Sequence, residues 1–268
     1  MMEKTKATII VSSPDSYSDV LSIFLKCFER FWKDCPYELI IANNGHNWSG
    51  YKVIKSDNDN TWTKRILHSL EEIDSELLIL FTDDCLISSE VDSFKFTELL
   101  NRFEDLDLNY LKLYPSPRPT GPWISRKYEI RGIKYKQPYG RSLMASVWRR
   151  SHFIQEFSNS MTGWEIEEKW LTESLESNSD IIKNYAAITT NLCNAKHAVV
   201  KGKWLPSAVR KCKSLGISVN VDERAVLSVG QEIFLFFKRN IRKLISNKFR
   251  IFLKKVFLSF GISFTTKN

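Results

Sequence analysis

The stretch LLILFTDDCLI, residues 77–87, runs from five consecutive apolar residues directly into two adjacent carboxylates. A short apolar run bounded by polar residues is typical of a strand buried on both faces of a parallel sheet. Asp83 and Asp84 fall where this strand leaves the sheet. A buried carboxylate needs a partner, so the pair indicates either a turn in which one carboxylate caps the next segment or a binding site for a ligand.

Strands and helices alternate on the N-terminal side of this stretch. Strands are predicted over residues 7–11, within 37–45 and over 51–57, and amphipathic helices over 20–31 and 62–73. Such alternation indicates βαβ units and a parallel sheet. Ligands of parallel sheets bind at the carboxyl ends of the strands, where the polar segments SSPD, NNG, SDNDN and TDDC lie. The sequence therefore predicts an α/β fold with its site at this edge.

The chain after residue 92 continues with the same kinds of element. Residues 115–123 contain four prolines in nine residues, which predicts a loop. Helices are predicted over residues 93–105 and 162–177, a strand leading into a helix over 141–150, and further strands over 109–115, 184–190 and 197–204, the last with a loop.

The five cysteines are odd in number, widely spaced and without a C-x-x-C pair. This pattern argues against a disulfide framework and against a zinc site, and it fits a reducing cytoplasm. The first residues contain no apolar core of a signal peptide, and no apolar run is long enough to span a membrane. We therefore expect a cytoplasmic protein.

The net charge of +8 comes from the end of the chain. Residues 233–268 hold nine Lys or Arg and no Asp or Glu, which leaves 30 basic against 31 acidic residues over 1–232. Between Phe234 and Phe260 apolar residues recur every three or four positions, with basic residues between them. This pattern predicts a basic amphipathic helix that lies on an anionic membrane surface. Packing of this helix on the rest of the protein or on a partner subunit is an alternative. Binding of nucleic acid is a weaker alternative, because phenylalanines on one face suit a lipid boundary better than a row of phosphates.

Residues 7–205 resemble bacterial nucleotide-sugar-dependent glycosyltransferases of the GT-A fold, of the kind encoded in surface-polysaccharide gene clusters for capsule, O-antigen or LPS. The order and spacing of several segments carry the resemblance. They are ATIIVSSPDSYSDV, FWKDCPYELIIANN, WTKRILHSLEEIDSELLILFTDDCL, YGRSLMASVWRRSHF, GWEIE and VVKGKW. The resemblance implies a Rossmann-like, mixed but mainly parallel sheet flanked by helices. We expect a catalytic domain over residues 1–230 and a basic amphipathic tail over 231–268.

In this family an acidic motif at a strand end, usually Asp-x-Asp, binds a metal ion and the donor nucleotide. This chain has Thr82-Asp83-Asp84-Cys85 instead, so one aspartate of the usual pattern is replaced. We expect Asp84 to be a ligand of Mn²⁺ or Mg²⁺, which prefer oxygen ligands, and Asp83 to contact the nucleotide. A metal there neutralises charge on a departing diphosphate.

The GWEIE segment offers two candidates for the catalytic base, Glu165 and Glu167. Transfer to a hydroxyl group with inversion needs a base for the acceptor proton, and the resemblance favours a catalytic W-E-x-E. Thr162-Gly163-Trp164-Glu165 also fits the capping box S/T-x-x-E, in which the glutamate only satisfies the helix N-terminus.

The first loop after a strand supplies candidate nucleotide contacts at Ser12, Ser13 and Asp15. An ordinary helix cap by Ser13 or Asp15 is the alternative. Lys64 and Arg65, at the start of a helix that follows SDNDNTW, are further candidates for a phosphate contact, but exposed helix surface is the favoured interpretation of both.

VVKGKW places Lys201 and Lys203 around a glycine, which allows close approach of ammonium and backbone groups to phosphates. A solvated loop is the alternative. His197 precedes this segment and is a candidate second metal ligand beside Asp84, although a lone histidine is often structural. The resemblance implies that Arg141 holds a sugar or an acceptor carboxylate.

These observations predict a metal-assisted glycosyltransferase that uses a nucleotide-sugar donor and a saccharide acceptor, lipid-linked if the tail binds the inner face of the plasma membrane. Two alternatives stay open. A nucleotidyltransferase also uses paired strand-end carboxylates and a metal, but releases pyrophosphate. A catalytically silent, membrane-associated subunit would use the sheet only as a scaffold.

Overall fold

The computed structural model describes residues 7–56, 61–177 and 179–244. Its strands are β1 (Ala7–Ser12), β2 (Glu38–Asn43), β3 (Lys52–Lys55), β4 (Leu77–Thr82), β5 (Cys85–Ile87), β6 (Tyr110–Lys112), β7 (Trp123–Ser125), β8 (Ile130–Lys134), β9 (Ala145–Arg149), β10 (Ile181–Ile188), β11 (Ala195–His197), β12 (Val199–Val200) and β13 (Lys203–Trp204). Its α-helices are α1 (Ser18–Phe31), α2 (Trp62–Ser69), α3 (Ser93–Asp105), α4 (Arg150–Glu156), α5 (Gly163–Glu176), α6 (Pro206–Ser214) and α7 (Val229–Leu244). Short 3₁₀ turns lie at Asp15–Tyr17 and Leu70–Glu72.

Nine of the described strands form one sheet in the order β3-β2-β1-β4-β9-β6-β10-β8-β7. The pairs from β3 to β4 and the β6–β10 pair are parallel, and the pairs that involve β8 or β9 are antiparallel. Seven strands therefore point one way, and β8 and β9 point the other way. This arrangement confirms the predicted α/β fold with a mixed, mainly parallel sheet.

Two apolar clusters cover the two faces of the sheet, because successive side chains of a strand point to opposite faces. Ile9 and Ile79 belong to the cluster that packs under α1, α3 and α6, and Ile10 and Leu80 to the cluster under α2, α4 and α5. All four side chains are buried. Both strands are covered on both faces, which explains why the sequences of β1 and β4 are continuously apolar, as predicted for buried parallel strands.

Strands β5 and β11 form a separate antiparallel pair that was not predicted. Strands β12 and β13 form a hairpin inside residues 197–204, where strands with a loop were predicted. The hairpin turn is Lys201-Gly202, whose φ angles of +52° and +71° favour glycine at one or both positions. The strand predicted over residues 109–115 is limited to Tyr110–Lys112. Elements of two or three residues carry too little periodicity to be recognised.

The first turn of α7 contacts the body of the protein. Glu232 accepts hydrogen bonds from the backbone N–H (3.2 Å) and the hydroxyl group of Ser207 at the start of α6, and it lies 3.8 Å from Arg210. Residues 245–268, which hold the rest of the predicted amphipathic tail, lie outside the described residues. Within the described ranges, no helix has both the length and the apolar character needed to cross a membrane.

Candidate active site

The loops after β1 and β4 meet at the carboxyl edge of the sheet. Ser12 and Thr82 are paired at the ends of these two parallel strands, so the residues that follow them lie side by side. The hydroxyl group of Ser13 donates a 2.6 Å hydrogen bond to Oδ2 of Asp83. Both side chains are buried, with Asp83 only 6% exposed. Two of the predicted nucleotide contacts therefore form one buried unit.

The Asp83 carboxyl group has a strongly shifted pKa. Burial, and after it the neighbouring charge of Asp84, raise the pKa of Asp83 to about 7. The hydrogen bond from Ser13 and the charge of Arg224 act in the opposite direction. A carboxyl group with a pKa this far above its ordinary range is a marker of a functional site when it also lies at the ligand edge of a sheet.

The two predicted metal ligands lie together. His197 ends β11, which pairs with β5 so that His197 is opposite Cys85, the residue after Asp84. This pairing brings His197 Nδ1 to 3.4 Å from Asp84 Oδ2. The His197 ring also packs edge-on against Tyr114, with 6.0 Å between ring centroids.

One carboxylate and one imidazole fit a Mn²⁺ or Mg²⁺ ion that takes its other ligands from substrate phosphates and water. In the described part of the chain, no group of three or more His, Cys, Asp or Glu side chains forms a complete metal site. A metal at this position would therefore depend on a bound diphosphate for the remaining oxygen ligands.

Glu167 and Glu165 have different environments, although both lie in the first turns of α5. Glu165 accepts hydrogen bonds at Oε2 from the backbone N–H (2.6 Å) and the hydroxyl group of Thr162, and the Thr162 hydroxyl accepts from Glu165 N. These bonds lower the pKa of Glu165. The capping box proposed as the alternative for Glu165 is therefore present.

Glu167 is half-buried and lines a cleft together with Arg141 and Trp170. Burial raises the pKa of Glu167, His197 and Lys112 act to lower it, and Asp84 acts to raise it. These influences show that Glu167 lies within electrostatic range of the Asp84–His197 pair. A carboxyl group with a raised pKa is suited to accept a proton near neutral pH, and Glu165 is already engaged in the capping box, so Glu167 is the better candidate for the base.

The first loop also connects to the loop after β2. Asp15 Oδ1 accepts hydrogen bonds from the backbone N–H groups of Asn44, Gly45 and His46 at 3.2–3.4 Å. Burial acts to raise the pKa of Asp15, but these bonds and His46 lower it overall. Neither Ser13 nor Asp15 caps a helix through its side chain, so the capping alternative is wrong for both.

Arg65 is buried rather than exposed. Its Nη1 donates a 3.3 Å hydrogen bond to the hydroxyl group of Ser12. Burial lowers the pKa of Arg65, and the charges of Asp83 and Asp15 act against that shift. The interpretation of this arginine as exposed helix surface is therefore wrong, and Arg65 belongs to the same edge of the sheet as Ser12 and Asp83.

The side chain of Arg141 contacts two residues of α5. Its Nη1 lies 2.7 Å from Glu173 Oε2, its Nη2 donates to the backbone carbonyl of Trp170 at 3.2 Å, and its guanidinium stacks 5.0 Å from the Trp170 ring. The side chain lines a cleft that Glu167 also lines. The structure thus places Arg141 near the candidate base, in an ion pair of its own.

Arg224 joins the lysine hairpin to the first loop, and it was missed by the sequence analysis. Its guanidinium forms two 2.8 Å contacts with the carboxylate of Asp19 and lies 4.1 Å from the ring of Tyr17. It also donates to the backbone carbonyl of Gly202 at 3.2 Å. The exposed side chains of Lys201 and Lys203 are therefore presented beside the loop that contains Ser13.

Lys112 is a second residue that the sequence analysis missed. Its side chain is fully buried at the carboxyl end of β6, and its ammonium donates a 3.0 Å hydrogen bond to the backbone carbonyl of Tyr139. Burial lowers the pKa of Lys112 to about 7, against the influence of Glu167. The available signal was a lysine inside the otherwise apolar segment YLKLY.

No protein-family model matches this sequence, and no curated protein matches it either. Solved structures of similar fold include TarS of S. aureus, with a TM-score of 0.42 and 13% identity over 69% of this chain and 37% of that chain. They also include a CMP:2-keto-3-deoxy-manno-octonic acid synthetase in complex with CTP, with a TM-score of 0.42 and 12% identity over 79% and 98% of the two chains. The glycosyltransferase GlyE of Streptococcus pneumoniae TIGR4 has a TM-score of 0.38 and 9% identity over 69% and 45%.

This chain spans about a third of the TarS chain that it matches. Because these TM-scores are below 0.5, the class of the protein rests on its own sheet and on the residues at the edge of that sheet. The strand order, the helices on both faces and the carboxyl-edge loops define a Rossmann-like α/β protein with a mixed, mainly parallel sheet.

Proposed function

We propose that this protein is an inverting glycosyltransferase that moves a sugar from a nucleotide-sugar donor to a saccharide acceptor in bacterial surface-polysaccharide biosynthesis. One observation supports the proposal above all others. The half-buried Glu167 carboxyl group lies within electrostatic range of the Asp84–His197 pair, whose side-chain atoms are 3.4 Å apart. A base opposite a group that holds the leaving diphosphate is the arrangement that displacement at a sugar carbon with inversion requires.

The donor nucleotide would lie along the loops after β1, β2 and β4. Ser12, Ser13 and Asp15 line the first loop, and Asp83 is hydrogen-bonded to Ser13. Lys201 and Lys203 extend from the hairpin beside this loop, where ammonium groups would attract the diphosphate. Asp84 and His197 would hold Mn²⁺ or Mg²⁺, which supplies neutralisation of the charge on the diphosphate.

In the transfer step, the acceptor hydroxyl oxygen forms a bond to the anomeric carbon while the bond to the diphosphate oxygen breaks. Glu167 accepts the proton of that hydroxyl group, and the electron pair of the broken bond leaves with the nucleoside diphosphate. The half-buried position of Glu167 keeps its pKa high enough to accept this proton. Arg141, beside Glu167 in the same cleft, would contact the sugar or an acceptor carboxylate.

The C-terminal segment supports a location at the inner face of the plasma membrane. Helix α7 exposes several large apolar side chains, and the residues that follow are rich in Lys and Arg. The exposed apolar residues are Val229, Ile233, Phe234, Phe236 and Phe237. Phenylalanines with adjacent basic residues suit the boundary of an anionic lipid surface. Binding there would bring the site to a lipid-linked acceptor.

The first experiment is thermal unfolding of the purified protein with a panel of nucleoside diphosphates and nucleotide sugars, each with and without Mn²⁺. A ligand at about a hundred times its Kd adds about 2.7 kcal/mol to the unfolding free energy. We expect one nucleotide to stabilise the protein in a Mn²⁺-dependent way and Asp84→Ala to lose this response. Asp74→Ala, an exposed aspartate before β4, is the matched control and should respond like the wild type.

The product then identifies the reaction. Release of a nucleoside diphosphate from a nucleotide sugar supports glycosyl transfer, and release of pyrophosphate from a nucleoside triphosphate means nucleotidyl transfer instead. If no nucleotide stabilises the protein, the strand end is a structural turn and the proposal is wrong.

A further inference from the structure

The end of the sheet farthest from β3 carries a concentration of positive charge. Residues 118–136, which contain β7 and β8 and are called the cationic edge below, hold six Lys or Arg and a single acidic residue, Glu129. The rest of residues 1–232 then holds 24 basic against 30 acidic residues. Lys134 forms an ion pair with Asp180 at 3.3 Å, whereas in the described part of the chain no carboxylate is paired with the other five cations. Most of this charge is therefore left for an external partner.

Trp123 on β7 brings two arginines of the cationic edge together. The centre of its ring lies 5.3 Å from the guanidinium carbon of Arg126 and 5.0 Å from that of Arg131. Trp123 is 36% exposed, although tryptophan is highly buried on average. An exposed ring beside two guanidinium groups offers an apolar surface for stacking and charged hydrogen-bond donors at the same place.

Backbone contacts around Trp123 hold this group in place. Trp123 is opposite Arg131 in the antiparallel β7–β8 pair, so the two side chains share one face of the sheet. Arg131 Nε donates a 2.7 Å hydrogen bond to the backbone carbonyl of Gly121, and the N–H group of Gly132 donates to the carbonyl of Pro122 at 2.9 Å. A guanidinium that is oriented before the ligand arrives loses less conformational entropy on binding.

The turn after β7 lies at the carboxyl edge of the sheet, where the candidate active site also lies. Ile130 at the start of β8 pairs with Ile188 at the end of β10, and β10 points the same way as β4. The turn that contains Arg126 therefore lies at the same edge as Asp83. Five strand spacings separate β7 from β4, which corresponds to about 24 Å. A ligand that reaches both places has to be an extended chain.

Protection of an edge strand explains only part of this pattern. β7 is the last strand of the described sheet, and basic residues on an edge strand discourage pairing with another chain. The same strand nevertheless exposes Trp123 and Ile124, and apolar residues on an exposed edge favour such pairing. The exposed ring therefore needs a second explanation, which a stacked ligand provides.

We propose that the cationic edge binds a saccharide chain that carries carboxylate or phosphate groups. Trp123 stacks on a sugar ring, and Arg126 and Arg131 bind the anionic groups. The paired N–H donors of a guanidinium match the oxygens of both carboxylate and phosphate. This inference rests on the glycosyltransferase function proposed above, in which the bound chain is the part of the acceptor that is remote from the transferred sugar.

Hydrogen exchange measured by mass spectrometry tests the proposal on the full-length protein. The method locates protection along the chain, so binding to the basic residues 233–268 is seen separately from binding to the cationic edge. The saccharide probes are an oligogalacturonate, a phosphorylated maltooligosaccharide and the same maltooligosaccharide without phosphate. Phosphatidylglycerol vesicles are a fourth probe, because lipid head groups also present phosphate.

The probes are applied to the wild type and to three variants. Arg126→Gln/Arg131→Gln removes both guanidinium groups, and Trp123→Ser removes the ring. Lys26→Gln/Lys33→Gln is the matched control, because it removes two exposed positive charges on and just after α1. All substituted side chains are exposed or half-buried, and the Tm of each variant without ligand shows that it is folded.

We expect at least one anionic oligosaccharide to slow exchange over residues 121–131 in the wild type and in the lysine control. The neutral maltooligosaccharide should have no effect there at the same concentration. The double arginine variant should lose this protection and keep any protection over residues 233–268. Trp123→Ser should lose it as well, and added salt should weaken it in the wild type.

Several results would overturn the inference. These are protection by neither anionic oligosaccharide, equal protection by the neutral one, and unchanged protection in the double arginine variant or in Trp123→Ser. Protection of residues 121–131 by the vesicles alone assigns the edge to lipid head groups. Aggregation of the double arginine variant, without protection of the wild type by any probe, limits these charges to preventing edge pairing. If the protein transfers no sugar, the proposed function fails, and the exchange data still decide whether the edge binds an anionic saccharide.

Discussion

The hydroxyl group of Ser13 and the carboxyl group of Asp83 share a 2.6 Å hydrogen bond, although 70 positions separate them in the chain. The bond is possible because β1 and β4 are neighbours in the sheet and end at the same level. It satisfies a buried carboxyl group that would otherwise lose its hydration without compensation. The contact therefore fixes the spacing of the two loops at which we propose that the nucleotide binds.

Ser13→Ala should destabilise the protein and weaken nucleotide binding. Removing the hydroxyl group leaves the buried Asp83 carboxyl group without this donor, which costs about 1–3 kcal/mol of unfolding free energy. Urea denaturation measures the loss, and thermal shifts with the nucleotide identified above measure the change in binding. Ser88→Ala is the control, because Ser88 also makes a 2.6 Å bond, to the backbone carbonyl of Asn194, in a separate contact. Equal nucleotide binding by wild type and Ser13→Ala would show that the Ser13–Asp83 unit is structural only.

Glu167→Gln and Glu165→Ala should fail in different ways. Glu167→Gln keeps the shape of the side chain but removes its basicity, so kcat should fall by about 10²-fold or more with Tm little changed. Glu165→Ala removes the capping box at Thr162, so it should lose about 0.5–2 kcal/mol of unfolding free energy and keep most of its turnover. The exposed Glu168→Gln serves as the control for both. The reverse pattern, with turnover lost only in Glu165→Ala, would move the base to Glu165.

Stability should depend on pH through Lys112. Burial lowers the pKa of this group from 10.5 to about 7, so between these values the unfolded chain binds a proton that the folded chain does not. The unfolding free energy should therefore rise with pH above about 7, by at most about 1.4 kcal/mol per pH unit from this residue. The measurement is the difference between wild type and Lys112→Met in urea unfolding from pH 6.5 to 9. Parallel pH dependence of the two proteins would mean that the lysine titrates normally.

The C-terminal segment should bind anionic membranes. The full-length protein should float with vesicles that contain phosphatidylglycerol and not with pure phosphatidylcholine, and added salt should weaken the association. Deletion of residues 233–268 should abolish flotation. Phe234→Ser should reduce it, whereas Phe94→Ser, at a phenylalanine 74% exposed on α3, should have no effect. Flotation of the deletion variant with anionic vesicles would place the membrane contact outside residues 233–268, and failure of the full-length protein to float would exclude the contact.

The core of the sheet was predictable because its signal is local. Continuous apolar runs identify β1 and β4, and the residues that follow a buried strand must lie at its carboxyl end, so the position of Asp83 and Asp84 followed directly. The choice between Glu165 and Glu167 did not follow. Both fit the same short motif, and only the folded structure shows that Glu165 forms the cap while Glu167 is half-buried within electrostatic range of Asp84.

The remaining parts of the site depend on contacts between distant segments. Arg224 meets Asp19 across 205 positions of sequence, and no local pattern encodes such a pairing. Lys112 lies in a strand of three residues, too short to show which side chains point inward. Arg65 looked like exposed helix surface because the burial of its guanidinium depends on Ser12, which belongs to another strand.

The contacts of Arg224 show that the folded domain extends at least to residue 224. Although α6 ends at Ser214, the ten residues that follow it contribute the guanidinium that joins the first loop to the lysine hairpin. A version of the protein cut after α6 would keep every strand of the large sheet and yet lose the tie between these two loops. Any chimera that exchanges the C-terminal segment with that of another protein therefore has to be joined beyond Leu227, the last residue that pairs with Trp204.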